Sequence, residues 1–464
     1  MIRDLVVVGA GVAGWTAARR AQQLGLDPVL LEKHTAAPGW GNGRLSGGWF
    51  HAAFLNPATR TPDELYAEIR RTAGEFTRAE LARAWADNAA RALDFLRGEG
   101  GVFAPVGEAE EAQNVAQPPR PAGLGQDWNN KGPDRLLKSM AARYLARGGA
   151  FKGGRRGVEL VVEDGRVTGV IADTGGYRER YAGRAVLLCD GGFQANPGLV
   201  ERYITREYKL RGSVSDTGDA LQMGLAVGAK VVNMEFFYGH CLTRDSLRND
   251  DLWPGFVTWP LINAGMLVDG FGERFCDEGA RDEVVAWHIA RSRTPGGCWA
   301  IFDDAAWETV GRCGPYPLNP YLPENGGTVH AADSVEELAD LAGLPAEPLA
   351  ASLQAHRSHL ACRTPLVPAR SGTVRPIAKR PYRAMPVIAG ITFTMGGLLV
   401  NANGQVLDER ERPIPNLYAA GGTMGGLQGG PDFGYTGGWS EATVFGLLVA
   451  EHVARTIGAR RRGQ

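Results

Sequence analysis

The chain has 464 residues, of which 44% are hydrophobic and 22% charged, a composition typical of a globular protein with length for about three domains. Its formal net charge of −1 provides no basic field for nucleic acid or an anionic membrane. No apolar segment reaches the roughly 18 residues of a membrane span, and the short apolar run near the start lacks the cleavage site of a signal peptide.

The first 32 residues predict a strand, a helix and a second strand. We expect these elements at residues 4–8, 15–24 and 27–31. Gly9, Gly11 and Gly14 follow the first strand and Glu32 ends the second, which is the order of the dinucleotide-binding fingerprint. Gly9 permits the tight turn, Gly11 lets a pyrophosphate approach the backbone, and Gly14 lets the helix pack on the strand. The N-terminus of the helix attracts phosphate, and Glu32 can accept hydrogen bonds from ribose hydroxyls.

Amphipathic patterns predict four further helices. Residues 61–98 predict two of them, with Thr61 and Thr77 as N-cap residues. Residues 334–341 and 346–360 predict the other two.

The C-terminal part of the chain favours FAD over NAD. An apolar strand at residues 413–421 runs into glycines, and residues 437–441 open an apolar helix that continues through Val449. This second glycine-rich helix start suits a cofactor with two ends, because its N–H groups would face the flavin edge where negative charge builds on reduction. No second strand–helix–strand fingerprint indicates a separate nicotinamide site.

The six cysteines are scattered, with no CxxC motif and no Cys/His cluster. This pattern predicts reduced thiols in a cytoplasmic protein. It predicts no metal site, no iron–sulfur cluster and no attached haem, so electrons would leave through the flavin itself.

Several motifs, in their order along the chain, resemble the fumarate reductase/succinate dehydrogenase flavoprotein superfamily, with tricarballylate-dehydrogenase-like and ketosteroid-dehydrogenase-like members the most similar. Besides the two nucleotide segments, the motifs occupy residues 42–48 (NGRLSGG), 187–193 (LLCDGGF), 217–220 (TGDA), 274–278 (RFCDE) and 390–397 (GITFTMGG). The resemblance implies an α/β fold: a discontinuous Rossmann-type FAD-binding domain at residues 1–234 and 393–464, interrupted by an inserted α+β capping domain at residues 235–392. The irregular segments 243–260 and 314–327 would belong to this cap.

The resemblance also implies which residues hold the FAD. In the N-terminal part of the chain these residues are Gly9, Gly11, Val12, Ala13, Gly14, Glu32, Lys33, Asn42, Gly43, Arg44, Ser46, Gly47 and Gly48. Those further along the chain are Asp190, Gly191, Gly192, Asp219, Gly421, Gly422, Gly438 and Ser440.

Two departures from the family pattern bear on the cofactor. Members that bind FAD covalently carry a histidine at the position of Gly41, so the resemblance implies non-covalent FAD here; His51 is near but out of register. The family commonly has an acidic residue where this chain has Gly422, so that contact to the ribityl chain is lost or supplied from elsewhere.

The first candidate catalytic residue is Arg281. Forming a double bond next to a carbonyl requires a group that accepts the α proton and a donor that stabilises the enolate. Residues 280–288 resemble the segment of fumarate reductases and aspartate oxidases whose arginine transfers the substrate proton. Since free arginine is a poor acid, we expect a relay that begins at Glu278 or Asp282. The alternative is a surface ion pair at the start of a helix.

His240 and Tyr435 are the other candidates. Residues 234–240 resemble the family strand whose histidine holds a substrate carboxylate, although a histidine among aromatic residues can also be structural. Tyr435 stands near the carboxylate-clamping arginine of fumarate reductases, in a turn similar to that of ketosteroid dehydrogenases, where a phenol and a backbone N–H polarise the ketone. The alternative is that Tyr435 packs on the flavin.

Thr392 replaces the family's second clamping histidine, and the expected substrate-binding set is His240, Thr392, Tyr435, Gly438 and Trp439. Since two of the four dicarboxylate contacts are replaced, we expect a substrate with one carboxylate or ketone rather than fumarate or succinate.

The function predicted from these residues is an FAD-dependent dehydrogenase that forms a C=C bond α,β to a ketone or carboxylate of a small molecule. The alternatives are an ene-reductase of the fumarate or urocanate kind, which Arg281 favours, and a flavoprotein subunit that relays electrons within a complex. An NAD-dependent dehydrogenase is disfavoured by the C-terminal segment. The sequence does not decide whether the electron acceptor is oxygen, a quinone or a redox partner.

Overall fold

The computed structural model describes residues 1–107, 113–119, 128–252, 258–311 and 322–462, with side chains described through residue 458. Parts of the predicted loops at 243–260 and 314–327 lie outside the described residues.

The helices, in chain order, are α1 (Val12–Gln23), α2 (Asn42–Leu45), α3 (Pro62–Ala73), α4 (Ala79–Gly98), α5 (Gly132–Ala146), α6 (Pro197–Tyr203), α7 (Asp219–Ala226), α8 (Trp259–Ala264), α9 (Asp282–Arg291), α10 (Asp304–Ala306), α11 (Val335–Ala342), α12 (Ala346–Cys362) and α13 (Gly438–Arg462). Within the described ranges, no helix combines the length and the apolar character needed to cross a membrane.

The first ten strands are β1 (Leu5–Val8), β2 (Pro28–Glu32), β3 (Trp49–Phe50), β4 (Phe103–Val106), β5 (Gln113–Ala116), β6 (Ala150–Gly153), β7 (Arg156–Glu163), β8 (Arg166–Asp173), β9 (Arg178–Ala182) and β10 (Val186–Leu188). The later strands are β11 (Lys209–Leu210), β12 (Val231–Val232), β13 (Phe237–Thr243), β14 (Met266–Val268), β15 (Trp299–Asp303), β16 (His330–Ala332), β17 (Tyr382–Thr394), β18 (Gly397–Leu399), β19 (Gln405–Leu407), β20 (Pro413–Ala419) and β21 (Met424–Gly425).

A mainly parallel sheet organises the larger part of the molecule. Its strand order is β19-β20-β10-β1-β2-β6, and β19 is the antiparallel edge strand. β1 and β2 are apolar and fully buried, as expected of parallel strands covered on both faces. The chain leaves β1 to one side for β2 and later returns on the other side as β10. Ligands bind where the strand order reverses in this way, so the carboxyl end of β1 is the expected position of a site. The predicted Rossmann-type fold is confirmed.

Helix α1 lies between this sheet and the long C-terminal helix α13. Trp15 is fully buried, stacks on Phe151 and donates from its indole N–H to the Pro38 carbonyl at 2.7 Å. Arg19 and Glu99 form a buried ion pair at 2.8 Å that ties α1 to the end of α4. These contacts fix the N-terminus of α1 relative to the ends of the strands.

A second sheet is built around the 13-residue strand β17. β13, β15 and β16 pair with it antiparallel, β11 pairs with it parallel, and β14 extends the sheet beyond β15. Helices α11 and α12 cover part of it and share a separate buried cluster that includes Met266, Ile301 and Leu349. Other buried residues of the predicted cap, such as Ile262, Val285 and Met385, belong to the main core, and the division at residues 235–392 stays a prediction. One strand of the sheet, β11, comes from sequence before that range.

One predicted N-cap is correct and the other is wrong. Thr61 caps α3 through a capping box with Glu64, in which Glu64 accepts from the Thr61 backbone N–H at 2.8 Å. Helix α4 begins two residues after Thr77, with Arg78 at its N-cap. The Arg78 N–H donates to the Gly426 carbonyl at 2.8 Å, and the Thr77 carbonyl accepts from Arg70. These tertiary bonds hold the chain in a non-helical conformation past Thr77.

Candidate active site

A cavity of about 970 Å³ opens where the carboxyl ends of β1, β2 and β10 face the β13–β17 ladder. This volume is at the upper end of the roughly 300–1,000 Å³ usual for ligand pockets. We call the part lined by Gly9, Gly11, Glu32 and Asp190 the glycine end. The part lined by Arg211, Tyr238, His240, Thr392 and Tyr435 is called the aromatic end.

Three glycines shape the turn at the glycine end. A Cβ on Gly14 would lie 1.9 Å from the Gly9 carbonyl oxygen, and one on Gly9 would lie 2.6 Å from the Cα of Asp190. A Cβ on Gly11 would meet nothing within 4 Å. Gly9 and Gly14 therefore allow close packing of the backbone, whereas Gly11 faces open space at the N-terminus of α1, where a phosphate binds favourably.

Glu32 and Lys33 line the same end and are held rigidly. The Glu32 carboxylate accepts from the backbone N–H groups of Ala10 at 2.8 Å and His34 at 2.9 Å. Lys33 Nζ donates to Asp219 at 2.9 Å, and Arg156 also pairs with this carboxylate. Burial opposes ionisation of Asp219, but the hydrogen bonds and charges of Arg156 and Lys33 prevail and lower its pKa to about 2.

Residues 42–48 form the side of the cavity between its two ends. Gly41, Asn42, Gly43, Ser46, Gly47 and Gly48 line it, and Gly41 offers no side chain for a covalent link. The Asn42 amide N–H donates to the Thr392 carbonyl at 2.8 Å, and its oxygen accepts from the Ser213 N–H at 2.6 Å. Arg44 does not line the cavity, because its guanidinium binds Asp134 at 2.6 Å.

Asp190 brings a carboxylate close to Gly422. Gly191, Gly192, Gly421 and Gly422 line the wall beside it. Asp190 accepts from the Ala220 N–H at 3.0 Å and from the Thr423 hydroxyl at 3.3 Å. Burial raises the pKa of Asp190 to about 6. Since β10 and β20 are neighbours, the carboxylate of Asp190 lies near the glycines that follow β20.

Tyr435 is buried at the aromatic end. The Gly438 backbone N–H donates to its phenol oxygen at 3.1 Å, and its ring stacks on Tyr238 with the ring centroids 4.2 Å apart. Burial raises the pKa of Tyr435 to about 12, so the phenol is protonated at neutral pH. Trp439 also lines the cavity and donates from its indole N–H to Ser46 at 2.8 Å. Ser440 does not line it; its hydroxyl donates to the His51 carbonyl.

His240 lines the cavity from β13 and forms a pair with Asp282. Its Nδ1 lies 2.6 Å from one Asp282 carboxylate oxygen, and the other oxygen accepts from the Cys241 N–H at 2.8 Å. A carboxylate on one ring nitrogen fixes the tautomer and orientation of a histidine. Nε2 is then the nitrogen left for a substrate.

Arg281 is not among the cavity-lining residues. Its side chain is 57% exposed, its Nε lies 3.6 Å from Glu283, and its guanidinium stands 4.1 Å from the ring centre of Phe433. Both expected starts of a relay bond elsewhere, since Asp282 holds His240 and Glu278 is buried between Arg274 and Arg370. The catalytic role of Arg281 stays a prediction.

Sequence reasoning missed Tyr238 and Arg211. Tyr238 lies two residues before His240 on β13, and residues two apart on a strand share a face, so this alternation could have revealed it. Arg211 Nη1 donates to the Thr392 hydroxyl at 3.1 Å across 181 residues of sequence. No local pattern signals that contact.

The cavity therefore has the form that suits a two-ended dinucleotide cofactor: a glycine turn at the start of α1, the carboxylate of Glu32, and a second helix start at Gly438. These residues fit FAD, and together with the fold they define the chain as a flavoprotein.

The chain belongs to the FAD binding domain family, whose model matches residues 4–433, and it is an FAD-dependent oxidoreductase. Over 468 residues it is 25% identical to fumarate reductase (cytochrome) from Shewanella frigidimarina, covering 97% of this chain and 77% of that protein. It is also 25% identical to 3-oxosteroid 1-dehydrogenase from Mycolicibacterium smegmatis, covering 99% of this chain and 98% of that protein.

A solved structure supports the fold over nearly the whole length. The 3-ketosteroid-Δ4-(5α)-dehydrogenase of Rhodococcus jostii RHA1 superposes with a TM-score of 0.74 at 22% identity, covering 97% of this chain and 96% of that one. The predicted superfamily, fold and cofactor are thus confirmed.

Separate alanine substitutions of Gly11 and Gly14 distinguish an effect on cofactor binding from an effect on the packing of α1. In Gly11→Ala the added methyl group enters open space, so we expect unchanged thermal stability of the apoprotein and FAD affinity at least about tenfold weaker, roughly 1.4 kcal/mol. In Gly14→Ala the methyl group meets the Gly9 carbonyl, so we expect a loss of about 1–3 kcal/mol of stability as well. Fluorescence titration with FAD and thermal denaturation measure both effects. Unchanged FAD affinity in Gly11→Ala would contradict the assigned phosphate position.

The buried carboxyl group of Glu441 should make the stability of the folded protein depend on pH. Burial raises its pKa to about 8, so the folded state holds a proton that the unfolded state releases near pH 4.5. Its contribution to stability is therefore full below about pH 4.5 and is lost as pH rises to about 8, at up to ~1.4 kcal/mol per pH unit. We expect Glu441→Gln to gain stability relative to wild type as pH increases, measured by urea unfolding at pH 6 and pH 8.5. Glu451 on the same helix pairs with Arg91 and has a lowered pKa, so Glu451→Gln should lose stability at both pH values.

Proposed function

We propose that the protein is a dehydrogenase that forms a C=C bond α,β to a ketone or carboxylate of a small substrate. The observation that carries this proposal is the buried, protonated phenol of Tyr435 in the same cavity as the His240–Asp282 pair, with the ring of Tyr238 in contact with both Tyr435 and His240. A neutral hydrogen-bond donor next to an oriented proton acceptor is what α-proton removal requires.

Tyr435 would polarise the substrate oxygen. Because the Gly438 N–H donates to the phenol oxygen, the phenol keeps its own proton for donation to the substrate. The bond from Gly438 also strengthens the phenol as a donor, since hydrogen bonds in a chain polarise one another. As the α proton leaves, this donor stabilises the negative charge on the substrate oxygen.

His240 would accept the α proton at Nε2. Asp282 holds Nδ1 at 2.6 Å and stabilises the imidazolium that forms. Bound FAD supplies the two-electron acceptor that takes the hydride from the β carbon.

A second candidate is the reverse reaction, the reduction of an activated double bond. It is favoured by Arg281, whose guanidinium stands 5.3 Å from the ring centre of the cavity-lining Phe54. The relatives support both directions by name, since one is a fumarate reductase and another a 3-oxosteroid 1-dehydrogenase.

We place the enzyme in the cytoplasm, with a small ketone or carboxylic acid as substrate. Four free cysteines, Cys189, Cys241, Cys276 and Cys298, are buried in the described chain, in keeping with a reducing compartment. The FAD would pass its electrons to oxygen, a quinone or a redox partner.

An anaerobic flavin-bleaching screen tests the direction of the reaction. We expect saturated cyclic ketones or carboxylic acids to bleach the ~450 nm band of the oxidised holoenzyme. If none does so, and an unsaturated acid re-oxidises the dithionite-reduced enzyme, the protein is an ene-reductase.

Removing the Tyr435 hydroxyl tests the proposed donor. In Tyr435→Phe we expect kcat to fall about 10²–10³-fold, the usual effect of losing one oxyanion donor, with the same FAD content as wild type. Tyr382→Phe, a buried phenol in the second sheet outside the cavity, is the matched control and should keep its activity. Wild-type kinetics in Tyr435→Phe would show that the ring only packs.

A further inference from the structure

We propose that Arg211, positioned by Thr392, is the anion-recognition residue of the aromatic end and selects substrates that carry a carboxylate. This inference rests on the proposed function, because it specifies the substrate class of the same cavity. Arg211 belongs to none of the motifs from which the site was predicted.

The second sheet brings Arg211 to the cavity. β11 pairs with Gly390 and Ile391 of β17, and the Arg211 N–H extends this pairing by donating to the Ile391 carbonyl at 2.8 Å. The strand ends there, so the Arg211 side chain stands at the margin of the sheet and lines the cavity.

A β-bulge positions the partner of Arg211. In the β13–β17 ladder, Tyr238 opposes Phe393 and Gly239 opposes Ile391, so Thr392 has no partner on β13. Bulges redirect side chains and are common beside active sites. The Thr392 carbonyl accepts from Asn42, and its hydroxyl accepts from Arg211 Nη1 at 3.1 Å. The guanidinium is therefore oriented before any substrate arrives.

Charged side chains lie at both ends of the cavity. At the glycine end, Lys33 and Arg156 both pair with Asp219, and the nearby Arg155 pairs with Glu179. At the aromatic end, Arg211 lines the cavity with Tyr238, and the carboxylate of Asp282 there is held by His240 and by the Cys241 N–H. Burial raises the pKa of Tyr238, and the charge of Arg211 opposes this shift.

A carboxylate is the ligand chemistry that suits this arrangement. The guanidinium presents its donors in a planar fork that matches the two oxygens of a carboxylate. The neutral phenol of Tyr238 near it can donate to the same anion, and partial burial strengthens each charged hydrogen bond. A neutral ketone or amide of the same shape would gain only ordinary hydrogen bonds here.

Ligand binding to the holoenzyme tests this without turnover. The probes are three acids, butanoate, cyclohexanecarboxylate and 3-phenylpropionate, each compared with its primary amide. Their binding is followed by perturbation of the flavin absorption spectrum. We expect wild type to bind at least one acid at least 10-fold more tightly than its amide. Arg211→Gln should weaken that acid 10-fold or more and the amide less than 2-fold, and Arg211→Lys should retain part of the preference.

Arg206→Gln is the matched control, since Arg206 lies five residues away and outside the cavity. We expect it to bind acids and amides as wild type does. If Arg211 is only structural, Arg211→Gln weakens both probes equally and lowers FAD retention, which overturns the inference. The inference is also overturned if the wild-type protein binds no acid of the series, or if it binds each amide as tightly as the corresponding acid.

The bleaching screen separates this inference from the proposed function. Tight, Arg211-dependent binding of acids with no bleaching by any saturated compound would overturn the dehydrogenase and leave the anion site intact. Bleaching by neutral ketones, with no preference for acids over amides, would support the dehydrogenase and overturn the anion site.

Discussion

The amide of Asn42 is the contact on which the arrangement of the cavity depends. It joins the Thr392 carbonyl of β17 to the backbone N–H of Ser213, and its own backbone begins the segment that lines the side of the cavity. Both hydrogen bonds of the Asn42 side chain are to backbone groups. They therefore fix the position of the second sheet relative to Asn42, and do not depend on the rotamer of another side chain. The bulge frees the Thr392 carbonyl for this purpose, because a regular ladder would have paired it within the sheet. The cofactor side and the substrate side are thus set relative to each other by backbone geometry.

The two ends of the cavity handle charge in different ways. At the glycine end, carboxylates are paired or hydrogen-bonded in place, and Asp219 stays ionised. At the aromatic end, burial keeps both phenols protonated, and the carboxylate of Asp282 faces His240. A dinucleotide needs fixed dipoles and donors, whereas proton removal needs groups that can change their protonation. Burial at the aromatic end favours such groups because it penalises every uncompensated charge.

Local sequence determined the elements that could be predicted. Gly9, Gly11, Gly14 and Glu32 lie within 24 residues of one another, and their roles follow from turn geometry and helix packing. The N-cap at Thr61 is equally local, since its partner Glu64 is three residues away. Thr77 failed as a cap because its backbone is held by Arg70 and by the tertiary partner of Arg78. Asp282 was recognised as important but given the wrong partner, because its contact with His240 depends on how α9 packs against β13. Arg211 was not recognised because its contact requires the pairing of β11 with β17.

The division of the cavity into a glycine end and an aromatic end explains how one fold can serve different substrates. The glycine end is made mostly of backbone groups and small residues, whose substitution would fill the space that the cofactor needs. The aromatic end is made of side chains from four separate segments: the end of β11, β13, the bulge of β17, and the turn before α13. Each of these segments can change its side chains without disturbing the parallel sheet, because none of them belongs to it. Thr392 lies in the bulge, and the pairing of β13 with β17 continues on both sides of it. A change of substrate in this fold therefore requires new side chains on an unchanged backbone frame, and the contact of Arg211 with Thr392 is the kind of arrangement that such a frame allows.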